Sequence, residues 1–165
     1  LTTTSVGNLH ALERRPVPRR PPGPGEVEIV VGAAGLNFKD VIVALGVIPF
    51  PGDPATAGFG GECAGRVARV GDGVTDLAPG DAVMALAASA FSRYATVPRE
   101  LVVRCPARPG DGRLGFEEAA TVPIAYVTAW YGLHELARLG RGERVLIHAP
   151  AGGADWDTTS PLANW

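Results

Sequence analysis

Glycine and proline punctuate this chain so densely that no long regular element can form before residue 116. The 22 glycines and 15 prolines exceed a fifth of the 165 residues. They sit between short Val-rich runs rather than in a repeat, which excludes collagen and argues against disorder. Runs of five to nine residues separated by turn signals predict a small antiparallel barrel or sandwich.

Residues 1–25 form a polar, Pro-rich lead-in ending PPGPG. Residues 26–33 (EVEIVVGA) alternate in part and are rich in Val and Ile, so a strand is expected there. Residues 37–45 (NFKDVIVAL) predict a short helix, with Asn37 as N-cap, Asp40 in the first turn and Gly46 as its stop. Residues 49–61 (PFPGDPATAGFGG) carry too much Pro and Gly for anything but a loop. Further strands are expected at 62–70, 82–86, 91–97 and 101–104, with turns at 71–73 and 79–81. At residue 116 the pattern changes. FEEAATVPIAYVTAWYGLHELARLG is apolar on nearly every side, with acidic residues at its start and Gly140 at its end. That predicts one short helix, a break near Val122 caused by Pro123, and a longer helix over 124–138. Apolarity all round implies burial.

Charge and cysteine usage narrow the function classes. The net charge is −2, which gives no field for nucleic acid. Arg14-Arg15 and Arg19-Arg20 read first as a solvated linker edge. Cys63 and Cys105 lie far apart with no ligand spacing, so reduced buried thiols are expected rather than a disulfide framework. No apolar run of about 18 residues predicts a membrane span, and no signal-peptide pattern is present. A cytoplasmic protein is the expectation. With Leu1 first and Met84 the sole methionine, the chain is expected to be a piece of a longer polypeptide.

Residues 142–153, GERVLIHAPAGG, open like a nucleotide-binding βαβ unit. An apolar strand runs into a glycine turn, where backbone amides and a helix N-terminus would meet a phosphate. Twelve residues follow, ADWDTTSPLANW, too few for the ~30-residue unit. Two of the three tryptophans fall in them, and residues 154–165 are expected to be a non-native tail.

Four stretches then resemble the medium-chain dehydrogenase/reductase superfamily, above all the enoyl reductase domains of polyketide synthases and zinc-free quinone reductases. They are GLNFKDVIVALG (35–46), AGFGGECAGRVARVGDGV (57–74), GDAVMAL (80–86) and AATVPIAYVTAWYGL (119–133), leading to GERVLIHAPAGG. The resemblance implies a mainly β protein with an α/β start. A GroES-like, partly open β-barrel over 26–115 follows the 1–25 lead-in. Connecting helices and the first strand of an incomplete Rossmann fold occupy 116–153. Zinc-dependent relatives carry cysteine near Phe38 and a His-Glu pair at Gly61-Glu62, so no metal is expected. The chemistry implied is hydride transfer from NADPH to the β-carbon of an α,β-unsaturated acyl thioester. NADPH and NADH are not distinguished by these residues, and the fragment alone is expected to bind cofactor weakly and to be inactive.

The same resemblance nominates the site residues. Asn37 could donate its amide to a carbonyl that gains charge, or serve only as a helix cap. Lys39 reads first as a solvated helix residue and second as catalytic. Ile48 stands where many such reductases carry a proton-donating tyrosine, which implies different stereocontrol or a plain channel wall. Tyr126 and Thr128 would back the nicotinamide, or simply pack. His148, Gly152 and Gly153 would lie at the pyrophosphate turn. The implied partners are an acyl thioester on an acyl carrier protein and neighbouring synthase domains, with neither nucleic acid nor membrane, and a homodimer is allowed. A stand-alone quinone or crotonyl-type oxidoreductase is the alternative, and a non-catalytic synthase remnant is a third reading.

Overall fold

The computed structural model describes residues 1–49, 58–108 and 112–146. Two compact units make up the chain, Leu1–Thr121 and Val122–Trp165. In chain order the first holds β1 (Thr2–Thr3), β2 (Leu12–Glu13), β3 (Glu26–Gly35), α1 (Phe38–Ala44), β4 (Glu62–Val70) and β5 (Ala82–Leu86). It continues with β6 (Tyr94–Pro98), β7 (Val102–Arg104), β8 (Ala107–Arg108), β9 (Gly112–Arg113) and α2 (Phe116–Ala119). Five of these strands form one antiparallel sheet in the order β6-β3-β4-β5-β7. The expected all-β unit is therefore present as an open sheet, and no ring of ladders closes it among the described residues.

The periodicity located most elements. β4 and β5 have the expected bounds, and β3 runs two residues further than expected, to Gly35. The strand expected at 91–97 begins only at Tyr94. Phe91 donates its N–H to the Phe59 carbonyl at 2.9 Å instead of joining β3. The lead-in is more ordered than its polar composition suggested. β1 pairs with β2, and Thr2 and Thr3 are buried. The Gly7 N–H reaches the Ala44 carbonyl at 2.9 Å, which ties this hairpin to the end of α1.

Each face of the sheet buries its own apolar set. Val27 and Ile29 of β3 join Cys63, Val67, Val83, Val97 and Val102 in the main core. On the other face Ala64 and Ala82 meet Ala119 and Ala120, with Ala33 and Phe116 packed alongside. β3 serves both because its register with β4 shifts between Val31 and Ala33. A bulge reverses which face a side chain joins, so Val31 packs with the first set and Ala33 with the second. Gly32 sits at that shift because a Cβ there would come within 2.6 Å of the Phe116 ring.

Between Val27 and Ile29, Glu28 is fully buried. Simple alternation marks it for the solvent face. Arg19 and Arg69 instead cover it, each donating two hydrogen bonds of 2.7–2.8 Å to its carboxylate. Those bonds hold the Glu28 carboxyl at about 2, well below its ordinary 4.5. Arg69 also donates to the Arg20 carbonyl at 3.0 Å, which straps the lead-in across the sheet.

The second unit carries α3 (Val122–Trp130), which continues into a six-residue π-helical turn at Tyr131–Leu136. Pro123 sits in the first turn of α3, where a missing N–H is tolerated. The chain breaks before it, at Ala120–Thr121, as its sequence implies. Burial does not follow from apolarity here: of α3 only Pro123 is buried, while Tyr126, Val127 and Trp130 are 42–55% exposed. No strand is present at Glu143–Leu146, and the remainder of the expected Rossmann strand lies outside the described residues.

Glu28 gives the fold a defined acid sensitivity. Its carboxyl ionises more readily folded than unfolded, so its contribution is complete above pH 4.5 and is lost as pH falls toward about 2. Urea unfolding at neutral pH should show Glu28→Gln destabilised by roughly 1–3 kcal/mol. The gap to wild type should shrink through that acid window. A gap that is constant with pH would mean that the buried carboxylate is not ionised.

Candidate functional site

Three chain segments meet at Asn37. β3 ends at Gly35, α1 begins after Asn37, and β4 opens with Glu62 directly across the ladder from Gly35. Asn37 has the extended backbone of an N-cap, φ −103° and ψ 151°. Its own N–H donates to Asp40 Oδ2 at 3.0 Å, and Asp40 Oδ1 accepts the Gly60 N–H at 3.0 Å. Asp40 thus fixes the helix start to the 58–61 loop. Gly60 is required there, with φ at +97° and the Phe91 backbone N only 2.8 Å from where a Cβ would stand.

The side chain of Asn37 donates Nδ2 to Glu62 Oε1 at 2.8 Å. Glu62 is 4% exposed, so this bond lies in a low-dielectric setting, where hydrogen bonds are stronger than in water. It orients the amide and leaves the second Nδ2 hydrogen for another acceptor. Gly35 makes room, since a Cβ there would lie 2.7 Å from both the Glu62 carboxyl carbon and the Ala120 carbonyl. Leu36 and Phe38 flank this amide and are 70% and 77% exposed. A fixed polar donor amid solvent-facing apolar side chains is the composition of a site for a mostly apolar ligand.

The other nominated residues are distributed unevenly. Lys39 is solvent-exposed on α1. Ile48 is half-buried against the cluster of Val43, Ala44 and Phe59 that fastens α1. Tyr126 and Thr128 both lie on α3 and are exposed. Residues two apart on a helix do not share a face, so α3 offers these two hydroxyls to different surroundings. His148, Gly152, Gly153 and the 154–165 tail lie outside the described residues. Among the described residues no three His, Cys, Asp or Glu side chains converge as metal ligands. Burial, with the neighbouring Glu62 charge, pushes the Cys63 thiol up to about 11, which disfavours a thiolate. No helix among the described residues is long and apolar enough to cross a membrane.

Sequence reasoning placed Asn37 and Asp40 but missed what holds the amide. The one available signal was Glu62 itself, a charge opening the apolar strand ECAGRV.

The class is defined by this fold. A family model for the alcohol dehydrogenase GroES-like domain matches residues 23–131, and the chain belongs to that family of the medium-chain dehydrogenase/reductase superfamily. More particularly, it is 47% identical over 129 residues to polyketide synthase GfsB of Streptomyces halstedii, matching 78% of this chain and 2% of that protein. The solved CurK enoyl reductase shares 39% identity with a TM-score of 0.84, over 94% of this chain and 48% of that one. A mycobacterial quinone oxidoreductase follows at 32% identity and TM-score 0.76, with the same coverage. A mycobacterial structure complexed with NADPH gives 32% and 0.77, again over 94% and 48%. The chain spans about half the length of these solved relatives and a small fraction of the synthase.

Asp40 is the residue on which the local geometry turns. Asp40→Ala strands two backbone N–H groups and should cost about 1–3 kcal/mol, measured by urea unfolding. Unchanged stability would show that the α1 start does not depend on this carboxylate.

Proposed function

We propose that this chain is the substrate-side part of an NADPH-dependent enoyl reductase, acting on an α,β-unsaturated acyl thioester. The observation that carries it is the Asn37 amide, oriented by buried Glu62 and flanked by exposed Leu36 and Phe38. Likeness to the CurK enoyl reductase and to a synthase supports the substrate class.

The described residues offer one part of a cofactor site, since Tyr126 and Thr128 are exposed residues on an apolar helix. NADPH, when bound, supplies the hydride for the substrate β-carbon. Tyr126 and Thr128 do not share a face of α3, so Thr128 would contact the nicotinamide end and Tyr126 would only back it, while His148, Gly152 and Gly153 would form the phosphate turn. As the β-carbon is reduced, negative charge grows on the thioester oxygen. The free Nδ2 hydrogen of Asn37 donates to that oxygen, and Glu62 prevents the amide from turning away. The exposed apolar side chains hold the acyl chain. The α-carbon then takes a proton. An isoleucine at position 48 cannot supply one, so water or another group does. Neighbouring synthase domains and a carrier protein complete the context, in a cytoplasmic setting.

A polypeptide containing this segment should oxidise NADPH in the presence of a crotonyl thioester. Asn37→Ser keeps a good helix cap but its short hydroxyl cannot replace the amide that Glu62 aims, and kcat should fall about 10²–10³-fold. An unchanged rate would remove Asn37 from catalysis. Reduction of a quinone with no thioester activity would favour the reading suggested by the quinone oxidoreductase. Ile48→Tyr sets a hydroxyl at the position that lacks one. On an α-methyl substrate the product should shift toward the other epimer, read by chiral analysis. An unchanged ratio with activity retained would make position 48 only a wall.

A further inference from the structure

Ser89 stands in the left-handed backbone region, at φ +62°, which only one other non-glycine residue adopts among the described residues. Its neighbours Ala88 and Ala90 supply no local reason for it. Such a conformation persists only where the surrounding structure imposes it, and it gathers at functional sites. Ser89 lies in the connection between β5 and β6, and segment 58–61 is what it meets there.

The two stretches are laced together through their backbones. Phe91 donates its N–H to the Phe59 carbonyl at 2.9 Å, Ala90 to Gly60 at 3.2 Å and Ala87 to Gly61 at 2.9 Å. The reversal at Ser89 lets residues on both sides of it donate to one segment. One bond returns, from the Gly58 N–H to Ser89 Oγ at 3.0 Å. The approach is so close that a Cβ on Gly58 would stand 2.8 Å from Ser89 Cβ and Oγ.

This segment carries everything that holds Asn37. The Gly60 N–H donates to Asp40, which also accepts from the Asn37 N–H. Phe59 packs with Val43 and Ala44 of α1, and Phe91 lies alongside. The next residue after Gly61 is Glu62, which takes the Asn37 side-chain hydrogen. Helix start, helix body and amide partner therefore share one support, and the Ser89 hydroxyl ties that support at its first described residue.

We propose that Ser89 is a positioning residue. Its hydroxyl, presented by a left-handed turn, seats Gly58–Gly61 and so sets the angle at which Glu62 holds the Asn37 amide. The seating stands on the hydrogen bonds alone. Only its consequence for turnover rests on the function proposed above.

Two variants separate the hydroxyl from the backbone. Ser89→Gly removes the hydroxyl and relaxes the left-handed turn, whereas Ser89→Ala removes the hydroxyl and keeps a side chain in that region. Ser89→Ala should therefore unfold at a lower temperature than Ser89→Gly. Ser92→Ala is the control, since that hydroxyl donates to the Tyr94 carbonyl of β6 at 2.6 Å. In NMR spectra of the purified chain, both Ser89 variants should exchange the Gly58 N–H about tenfold faster and shift the Asn37 Nδ2 signals. Ser92→Ala should do neither. In a polypeptide that reduces a crotonyl thioester, both Ser89 variants should lose kcat alike, about tenfold, with KM near wild type. In an Asn37→Ser background, Ser89→Gly should lower kcat by less than about twofold, because the amide it aims is gone. Asn37 signals unmoved by Ser89→Gly would overturn the proposal. A rate that follows stability, with Ser89→Gly well above Ser89→Ala, would also overturn it, as would a full further loss in the Asn37→Ser background. A parent protein that is inactive, or indifferent to Asn37→Ser, would overturn the function proposed above, and the NMR result would still decide the seating.

Discussion

The β3–β4 ladder is the constraint on which the rest depends. It runs from the pair Val27↔Val70 to the pair Gly35↔Glu62, with β6 on the far side of β3 and β5 on the far side of β4. The backbones approach too closely for side chains at two points. A Cβ on Gly65 would fall on the Val30 carbonyl, and one on Gly71 would fall on the Gly23 carbonyl. Glycine is required there for space, not for an unusual φ. This tight pairing brings Glu28 under Arg69 at one end and Glu62 beside Asn37 at the other.

The two buried glutamates show how environment divides one residue type between two tasks. Glu28 accepts from two guanidinium groups and is locked ionised, so it serves as a staple for the lead-in. Removing it would leave Arg19 and Arg69 with water as the alternative partner, because both are 40% exposed or more. Glu62 accepts from a neutral amide. It has less to anchor and more to aim, since an amide with one hydrogen fixed presents the other in a set direction. β3 runs between these two glutamate sites, from Glu28 beneath Arg19 and Arg69 to Gly35 opposite Glu62.

Much of this organisation was legible along the chain. Turn signals at 71–73 and 79–81 helped set the bounds of β4 and β5, and the Asn37–Asp40 spacing with Gly46 after it gave α1. Gly46 indeed stops that helix, at φ +72°. Local signals work there because capping, turn and pleat preferences act over a few residues. The same logic misjudged α3, where apolarity on every side implied burial and the chain leaves Tyr126, Val127 and Trp130 exposed. Hydrophobic pattern reports what a surface would gain by being covered, not whether a cover is present.

By itself, the sequence determined the strand and helix periods, the turn positions and the motif set of an oxidoreductase family, all of which are written in short-range order. Only the tertiary structure decided the partners of charges. EVEIVV marks Glu28 as solvent-facing by alternation, yet Arg69, 41 residues away, buries it. Arg19 is exposed, as a polar linker would be, yet its guanidinium grips Glu28, nine residues on. The Asn37 amide looks like a cap until Glu62, 25 residues on, takes its hydrogen. Ion pairs and side-chain hydrogen bonds form between whichever groups the fold brings within 3 Å. Sequence spacing does not encode that distance.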